Sequence, residues 1–239
     1  MAVPPDFSKN LLLAALSDDE RQHMLARLEL VDMRLGQALY EPGSQPALVY
    51  FPSTAIVSLM VDIENGGSAQ VAMVGNEGVV GISLFLGGGF TLGRAVVLSA
   101  GHGFVMPAHE LANDFARSEL VRQVLLRYTQ ALITQMSQTA VCNRHHTLDR
   151  QLSRWLLMSL DRLHGNQLVM THELIAHVLG VRREGVTEAA LKLQAAGLIR
   201  YARGHISVLD RQGLELRSCE CYGVVKKEYA RLMQPATNI

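Results

Sequence analysis

Several things are scarce in this sequence, and each scarcity excludes something. Cysteine occurs three times, at Cys142, Cys219 and Cys221, too few and too clustered for a disulfide framework. No apolar run reaches the ~18 residues that cross a bilayer, so no membrane partner is expected. The opening residues, Met1-Ala-Val-Pro-Pro-Asp6, lack the basic start and apolar stretch of a secretion signal, which makes the cytoplasm the expected location. Net charge is absent too, with 22 Lys and Arg against 22 Asp and Glu. That balance conceals an asymmetry. Residues 1–143 carry a net −5 and residues 144–239 a net +5, so cations that could meet a polyanion gather in the C-terminal part. Charged residues are only 18 % of the chain and hydrophobic ones 49 %. This excludes wholesale disorder and supplies a core for one large or two modest domains.

Catalytic constellations are missing as well. No spacing joins a nucleophile to a base and an orienting group, and no phosphate loop of the G-x-x-x-x-G-K-[ST] type occurs, so an enzyme is not expected. His172-Glu-Leu-Ile-Ala-His177 has the look of a zinc-protease helix. Its histidines are five apart where a metal pair needs four. At about 100° per residue the two rings diverge by about 140°. Cys142 lies near His145-His146, and Cys219-Glu-Cys221 stands far off in sequence. Four-ligand spacing is absent. The cysteines are therefore read as structural, with no metal and no cofactor expected.

What is present falls into three textures. Residues 7–30 read as helical, with Ser17 and Glu20 at the spacing of a capping box. From Met33 to Pro107, short β-rich runs alternate with Gly, Pro and Asn. They are Leu48–Phe51, Ile56–Ile63, Ser68–Val74, Arg94–Leu98 and Phe104–Met106. The Asn65-Gly66 turn between the second and third predicts a hairpin, and the set predicts a small β-roll. Ala108–Asn143 then contains neither Gly nor Pro and reads as one long helix. Its stripe of Val121, Leu125, Tyr128, Leu132, Met136 and Ala140 needs a surface to cover it, either the chain's own core or a second copy along a dimer seam, and the second copy is the expected one. Another helix is expected over 147–164, ended by His164-Gly-Asn166.

Residues 169–209 carry the strongest functional signal. Thr171 opens a short helix, Leu179-Gly180-Val181 breaks it, and a second helix starts near Arg182 and stops at Gly197. This is the helix-turn-helix arrangement. The start of its second helix faces base edges in a major groove. Arg182, Arg183, Glu184 and Thr187 are the candidate readers, since Arg donates to guanine and Glu accepts from cytosine. Thr171 is a candidate DNA contact at the first helix. A following hairpin, the wing, offers Arg200, Arg203 and His205 to phosphates.

Taken together, Val74-Gly-Asn-Glu-Gly-Val-Val-Gly81, Cys142-Asn-Arg144, Arg154-Trp-Leu-Leu-Met158, Leu179-Gly-Val-Arg-Arg183, Ala196-Gly-Leu-Ile-Arg-Tyr201 and Cys219-Glu-Cys-Tyr222 make the sequence resemble the Crp/Fnr family of transcription regulators. The resemblance runs from about Leu11 to Tyr222. It implies an α+β fold with an N-terminal β-roll of the cupin-like, cyclic-nucleotide-binding-like kind over 1–107. A dimerisation helix and hinge would span 108–146, and a winged helix-turn-helix 147–239. It also implies a homodimer on a near-palindromic DNA site, regulating transcription with RNA polymerase as a partner. The family's Arg-Glu reading pair matches Arg183-Glu184, while a further basic reader one turn later is Glu188 here. The family's nucleotide pocket maps onto Gly81, Ile82, Arg94, Ala95 and Ser137 as a candidate effector site. Where cAMP-binding members have Gly-Glu and then Arg-Ser or Arg-Thr, this chain has Gly81-Ile82 and Arg94-Ala95, so cAMP is not the expected effector. Iron–sulfur members need N-terminal cysteines, and none precedes Cys142.

Overall fold

The computed structural model describes residues 6–64, 66–163 and 165–232; the readings placed on Met1–Pro5, Asn65 and His164 lie outside these. The N-terminal helical stretch is shorter and more broken than its composition suggested. A 3-10 turn at Phe7–Lys9 is followed by α1 (Leu11–Ala14) and α2 (Asp18–Leu25). Asn10 starts α1 and is fully buried. Its carbonyl oxygen accepts from Leu12 and Leu13 N–H, and its amide donates to Pro52 O at 2.8 Å and Gly78 O at 2.9 Å. One side chain therefore satisfies two orphan helix donors, a strand-end carbonyl and a loop carbonyl. Ser17 caps α2 as expected, accepting from Glu20 N–H.

The helical reading to residue 30 is corrected from Glu29 onward, where the chain enters the sheet. β1 (Glu29–Met33) and β2 (Ala38–Tyr40) precede β3 (Leu48–Pro52), β4 (Ile56–Asp62), β5 (Ser68–Val74), β6 (Arg94–Ser99) and β7 (Gly101–Pro107). They form two facing antiparallel sheets, ordered β1-β7-β3 and β2-β6-β4-β5. The expected hairpin is β4–β5, with Val57 opposite Val74 and Asp62 opposite Ser68. Phe51, Ile56, Val57, Val74, Ala95, Val97 and Phe104 of these strands are buried in the core, and Phe104 stacks on Phe7.

The long helix is also two helices. α3 (Ala108–Arg117) ends at Ser118, whose extended backbone breaks the rod. Ser118 Oγ then accepts from Val121 N–H to start α4 (Glu119–His145). Neither Gly nor Pro was needed, because a capped serine ends one helix and begins the next. At 1.5 Å per residue, the 27 residues of α4 span about 40 Å.

The C-terminal part follows as α5 (Leu148–Leu160), β8 (Gln167–Val169), α6 (His172–Leu179), α7 (Arg183–Ala195), β9 (Ile199–Ala202), β10 (His205–Val208), α8 (Arg211–Arg217) and α9 (Glu220–Leu232). α5 is buried on every face from Gln151 to Leu160, as a helix between two layers must be. It docks on the β-roll through a polar seam. Trp155 Nε1 donates to Gln70 Oε1 at 2.9 Å. Gln135 of α4 pairs with both backbone groups of Met73, at 3.0 and 3.1 Å. Arg162 meets Glu77 at 2.7–2.8 Å. The 75–78 turn can approach this closely because it carries two glycines. A Cβ on Gly75 would stand 2.7 Å from the Arg162 stem, and one on Gly78 2.3 Å from the Tyr128 ring. Close approach of backbone is a physical reason for the spacing in Val74-Gly-Asn-Glu-Gly.

Candidate nucleic-acid interface

The Thr171 hydroxyl accepts from Leu174 N–H at 3.2 Å and so starts α6. α6 stops at Gly180, which is left-handed at φ +66°. Only glycine takes that conformation without strain, and its N–H closes the helix end. Ile175, Ala176 and Val178 of α6 and Val186, Ala189, Ala190 and Leu193 of α7 turn into the core. This packing fixes how the start of α7 projects. Arg182, Arg183 and Glu184 lie there, all exposed. Among the described residues these three make no ion pair, unlike Glu188 and Lys192 one turn on, which pair at 2.8 Å.

Thr187 departs from its expected role as a base reader. Its side chain is half-buried, donating to Arg183 O at 3.1 Å and lying 3.0 Å from His172 Nδ1. The His172 ring stacks on Tyr201 of β9, centroids 4.0 Å apart. Burial and the Arg183 charge push the His172 pKa down, which favours the neutral ring. Thr187 and His172 thus tie α6, α7 and the wing together. The wing is β9–β10, extended by β8. Arg200, Arg203 and His205 are exposed on it, and Arg203 turns the hairpin at φ +50°. Gly204 O accepts from Met170 N–H at 2.7 Å. The wing turn, the start of α6 and the start of α7 therefore form one continuous face.

Comparison with known proteins agrees with this geometry. Residues 150–217 match the model of the Crp-like helix-turn-helix domain. A Crp/Fnr family protein from Eubacterium rectale superposes with a TM-score of 0.67 at 17 % identity, over 87 % of this chain and 98 % of the other. FixK2 from Bradyrhizobium japonicum gives 0.67 at 16 %, over 80 % and 98 %. The c-di-GMP-responsive regulator CLP from Xanthomonas campestris gives 0.62 at 15 %, over 81 % and 100 %. No curated protein sequence matches the chain. The chain has the Crp/Fnr fold and carries a Crp-like helix-turn-helix domain.

Within the Crp/Fnr fold, the expected dimer stripe is corrected. Val121, Leu125, Tyr128 and Leu132 are 0–2 % exposed and pack into the chain's own core. Helical periodicity defines a face without saying what covers it, and here the β-roll and α9 do. Met136 is half-buried and Ala140 exposed. The outward face of α4 instead shows Leu126, Ile133 and Val141, each about half exposed.

The candidate effector residues are brought together only in part. A cavity of about 290 Å³ is lined by Ile82, Arg94 and Met136 together with Leu59, Met60 and Phe90. Gly81, Ala95 and Ser137 do not line it. Gly81 starts a 3-10 turn, Ala95 is fully buried on the face of β6 opposite Arg94, and Ser137 is exposed, donating to Ile133 O on its own helix. Successive residues of a strand face opposite ways, so Arg94 and Ala95 cannot share one pocket wall. Arg94 has partners, Asp62 at 3.5 Å and His177 of α6 at 3.3 Å. His177 also lies 3.1 Å from Ser68 Oγ. It is thus a contact between the helix-turn-helix domain and the β-roll rather than a free surface histidine.

Sequence spacing also hid a cluster. Cys142 and His146 at the end of α4 meet Cys219 and Cys221 around the start of α9. All three cysteines are buried and free. Cys219, hydrogen-bonded by Cys142 and Cys221, has its pKa drawn down. Cys142 is pushed the opposite way by that same bond and by burial.

Proposed function

We propose that the protein is a sequence-specific DNA-binding transcription regulator that acts as a homodimer on a near-palindromic site in the cytoplasm, with RNA polymerase as a partner. The supporting observation is the continuous face of exposed Arg182, Arg183 and Glu184, which make no ion pair among the described residues, beside Arg200, Arg203 and His205. Arg183 and Glu184 read base edges. Arg182 and the wing cations hold phosphates, and Thr171 and Thr187 position the two helices. The subunits join along the outward face of α4 through Leu126, Ile133 and Ala140, which recur every seven residues as a two-helix seam requires. Two α7 tips then serve half-sites about 34 Å apart. In this reading residues 1–107 form the sensor, 108–146 the dimer helix and hinge, and 147–239 the DNA-binding domain.

The test is a gel-shift panel of single-base operator variants. Arg183→Ala relaxes preference at one base position per half-site and leaves the others intact. An unchanged preference profile removes Arg183 from base reading.

The effector of this reading is not cAMP. The cavity of Ile82, Arg94 and Met136 offers one guanidinium, already facing Asp62, and its lining includes no carboxylate for a ribose; Arg94 also borders a second cavity of about 320 Å³ with Glu41 and His177. CLP, of the same fold, is described as responsive to c-di-GMP. Whatever engages Arg94 competes with its contact to His177, and so shifts the balance between docked and released positions of α6. Saturable micromolar binding of cAMP in calorimetry overturns this part.

A further inference from the structure

Residues 77 positions apart meet where the long helix ends. Cys142 lies in the last turn of α4, and His146 is the extended residue that closes that turn, its N–H bonded to Cys142 O. Cys219 follows α8, and Cys221 is the second residue of α9. The four donor atoms lie within 4.8 Å of one another. Cys142 Sγ is 3.5 Å from Cys219 Sγ, and Cys221 Sγ is 3.7 Å from His146 Nδ1. A tetrahedral ion with bonds of ~2.3 Å to sulfur and ~2.0 Å to nitrogen sets its ligands about 3.5–3.8 Å apart. A disulfide requires ~2.0 Å. These two edges, with every donor atom within 4.8 Å of the others, suit ligands around a shared ion.

The surroundings also fit. His146 turns its other nitrogen, Nε2, toward the Glu220 carboxylate at 3.4 Å. This is the outer partner that fixes the ring of a metal-bound histidine. Arg154 is 6 % exposed and its charge acts on Cys142 and Cys221. Three thiolates around a dipositive ion leave one surplus negative charge, and Arg154 offsets it.

The geometry points to a zinc site made by Cys142, His146, Cys219 and Cys221, which ties the end of α4 to the start of α9. The soft sulfur-rich donor set selects zinc over magnesium or calcium. Four protein ligands close the coordination sphere, so the site is structural and leaves no position for a reacting water. No electron moves. Each thiol that ligates releases its proton to solvent. The ion holds the corner at residues 143–147, where α4 gives way to α5, against the segment that follows α8, and so sets the angle at which the helix-turn-helix domain leaves the long helix. The site does not depend on the DNA-binding reading, because metal uptake is measured without DNA.

The experiment uses the full-length protein, kept reduced, stripped with a chelator and titrated with cobalt(II) alone. Tetrahedral cobalt–thiolate absorption saturates at one ion per chain and is bleached by one equivalent of zinc. Glu220→Gln keeps all four ligands and weakens zinc by about 10-fold; His146→Gln weakens it further. Because Cys142 is fully buried, His146→Gln is the decisive ligand variant, and its circular dichroism checks that it folds. Zinc raises the melting midpoint of the parent chain but not of this variant. A weak octahedral cobalt spectrum overturns the proposal. So does the same zinc affinity in His146→Gln, or a reduced parent chain that takes up no ion and on oxidation merely joins Cys142 to Cys219.

Discussion

The seam at Glu77–Arg162 and the tip of α7 are built from the same residue types and behave oppositely. At the seam, Arg162 and Glu77 are 6 % and 10 % exposed, and each satisfies the other. Arg162 Nη1 also donates to Met158 O at 2.8 Å, and Glu77 accepts from Gly75 N–H. At the tip, Arg182, Arg183 and Glu184 stand in solvent and pair with no opposite charge among the described residues. A buried charge must be paired whatever the protein does, so pairing there speaks of folding. Exposed charges that the chain leaves without partners are free to meet a partner from outside. That contrast, more than the number of arginines, separates the site from the scaffold.

The contrast can be broken at either end. Glu77→Ala leaves the Arg162 charge buried and unpaired, and is expected to cost about 3–5 kcal/mol of folding free energy. Denaturant unfolding reads it; a loss under about 1 kcal/mol makes the seam a solvated contact. Arg183→Ala is expected to cost about 1–3 kcal/mol of DNA affinity with no change in melting midpoint. A lowered midpoint would mean that the tip also holds the fold. Ile133→Glu on the outward face of α4 shifts the chain from dimer to monomer in sedimentation, while the subunit's own stability stays within about 0.5 kcal/mol. A dimer that persists places the seam elsewhere. The smallest effect is at Glu20. A hydrogen bond from Ser118, aided by Arg117 at 2.6 Å, lowers its pKa. A lowered carboxylate stabilises the folded chain above its ordinary value of 4.5, and this is lost as pH falls below that range. Glu20→Gln should flatten the acid limb of the stability profile by less than about 1 kcal/mol.

What could be read in the sequence follows from how locally each feature is determined. The β4–β5 hairpin was legible because flanking apolar runs and a turn dipeptide lie within one short window. The helix-turn-helix was legible through Thr171, Gly180 and the two short apolar faces. β1 was not, since Glu29-Leu-Val-Asp-Met33 is largely exposed and shows little of a buried strand's pattern. The break at Ser118 was missed because a serine cap leaves no trace in a Gly/Pro scan. The α4 stripe was found and assigned the wrong cover, because its neighbours come from elsewhere in the chain. The thiol–imidazole cluster was missed for the same reason, since half its members lie beyond α8. Asn10, Gln70 and Gln135 gave no signal at all, because a buried amide resembles a surface one until its partners are known.

Gly180 does two things at once. It ends α6, and it lets that end rest against the β-roll, where a Cβ would sit 3.2 Å from the Ala69 methyl and 3.4 Å from Ser68 O. A library randomised at position 180 and selected only for a folded C-terminal half should still return glycine, because the left-handed backbone demands it. The snug contact with the hairpin would then be inherited without ever having been selected. The two halves can keep their fit through long sequence drift with no pressure on the fit itself.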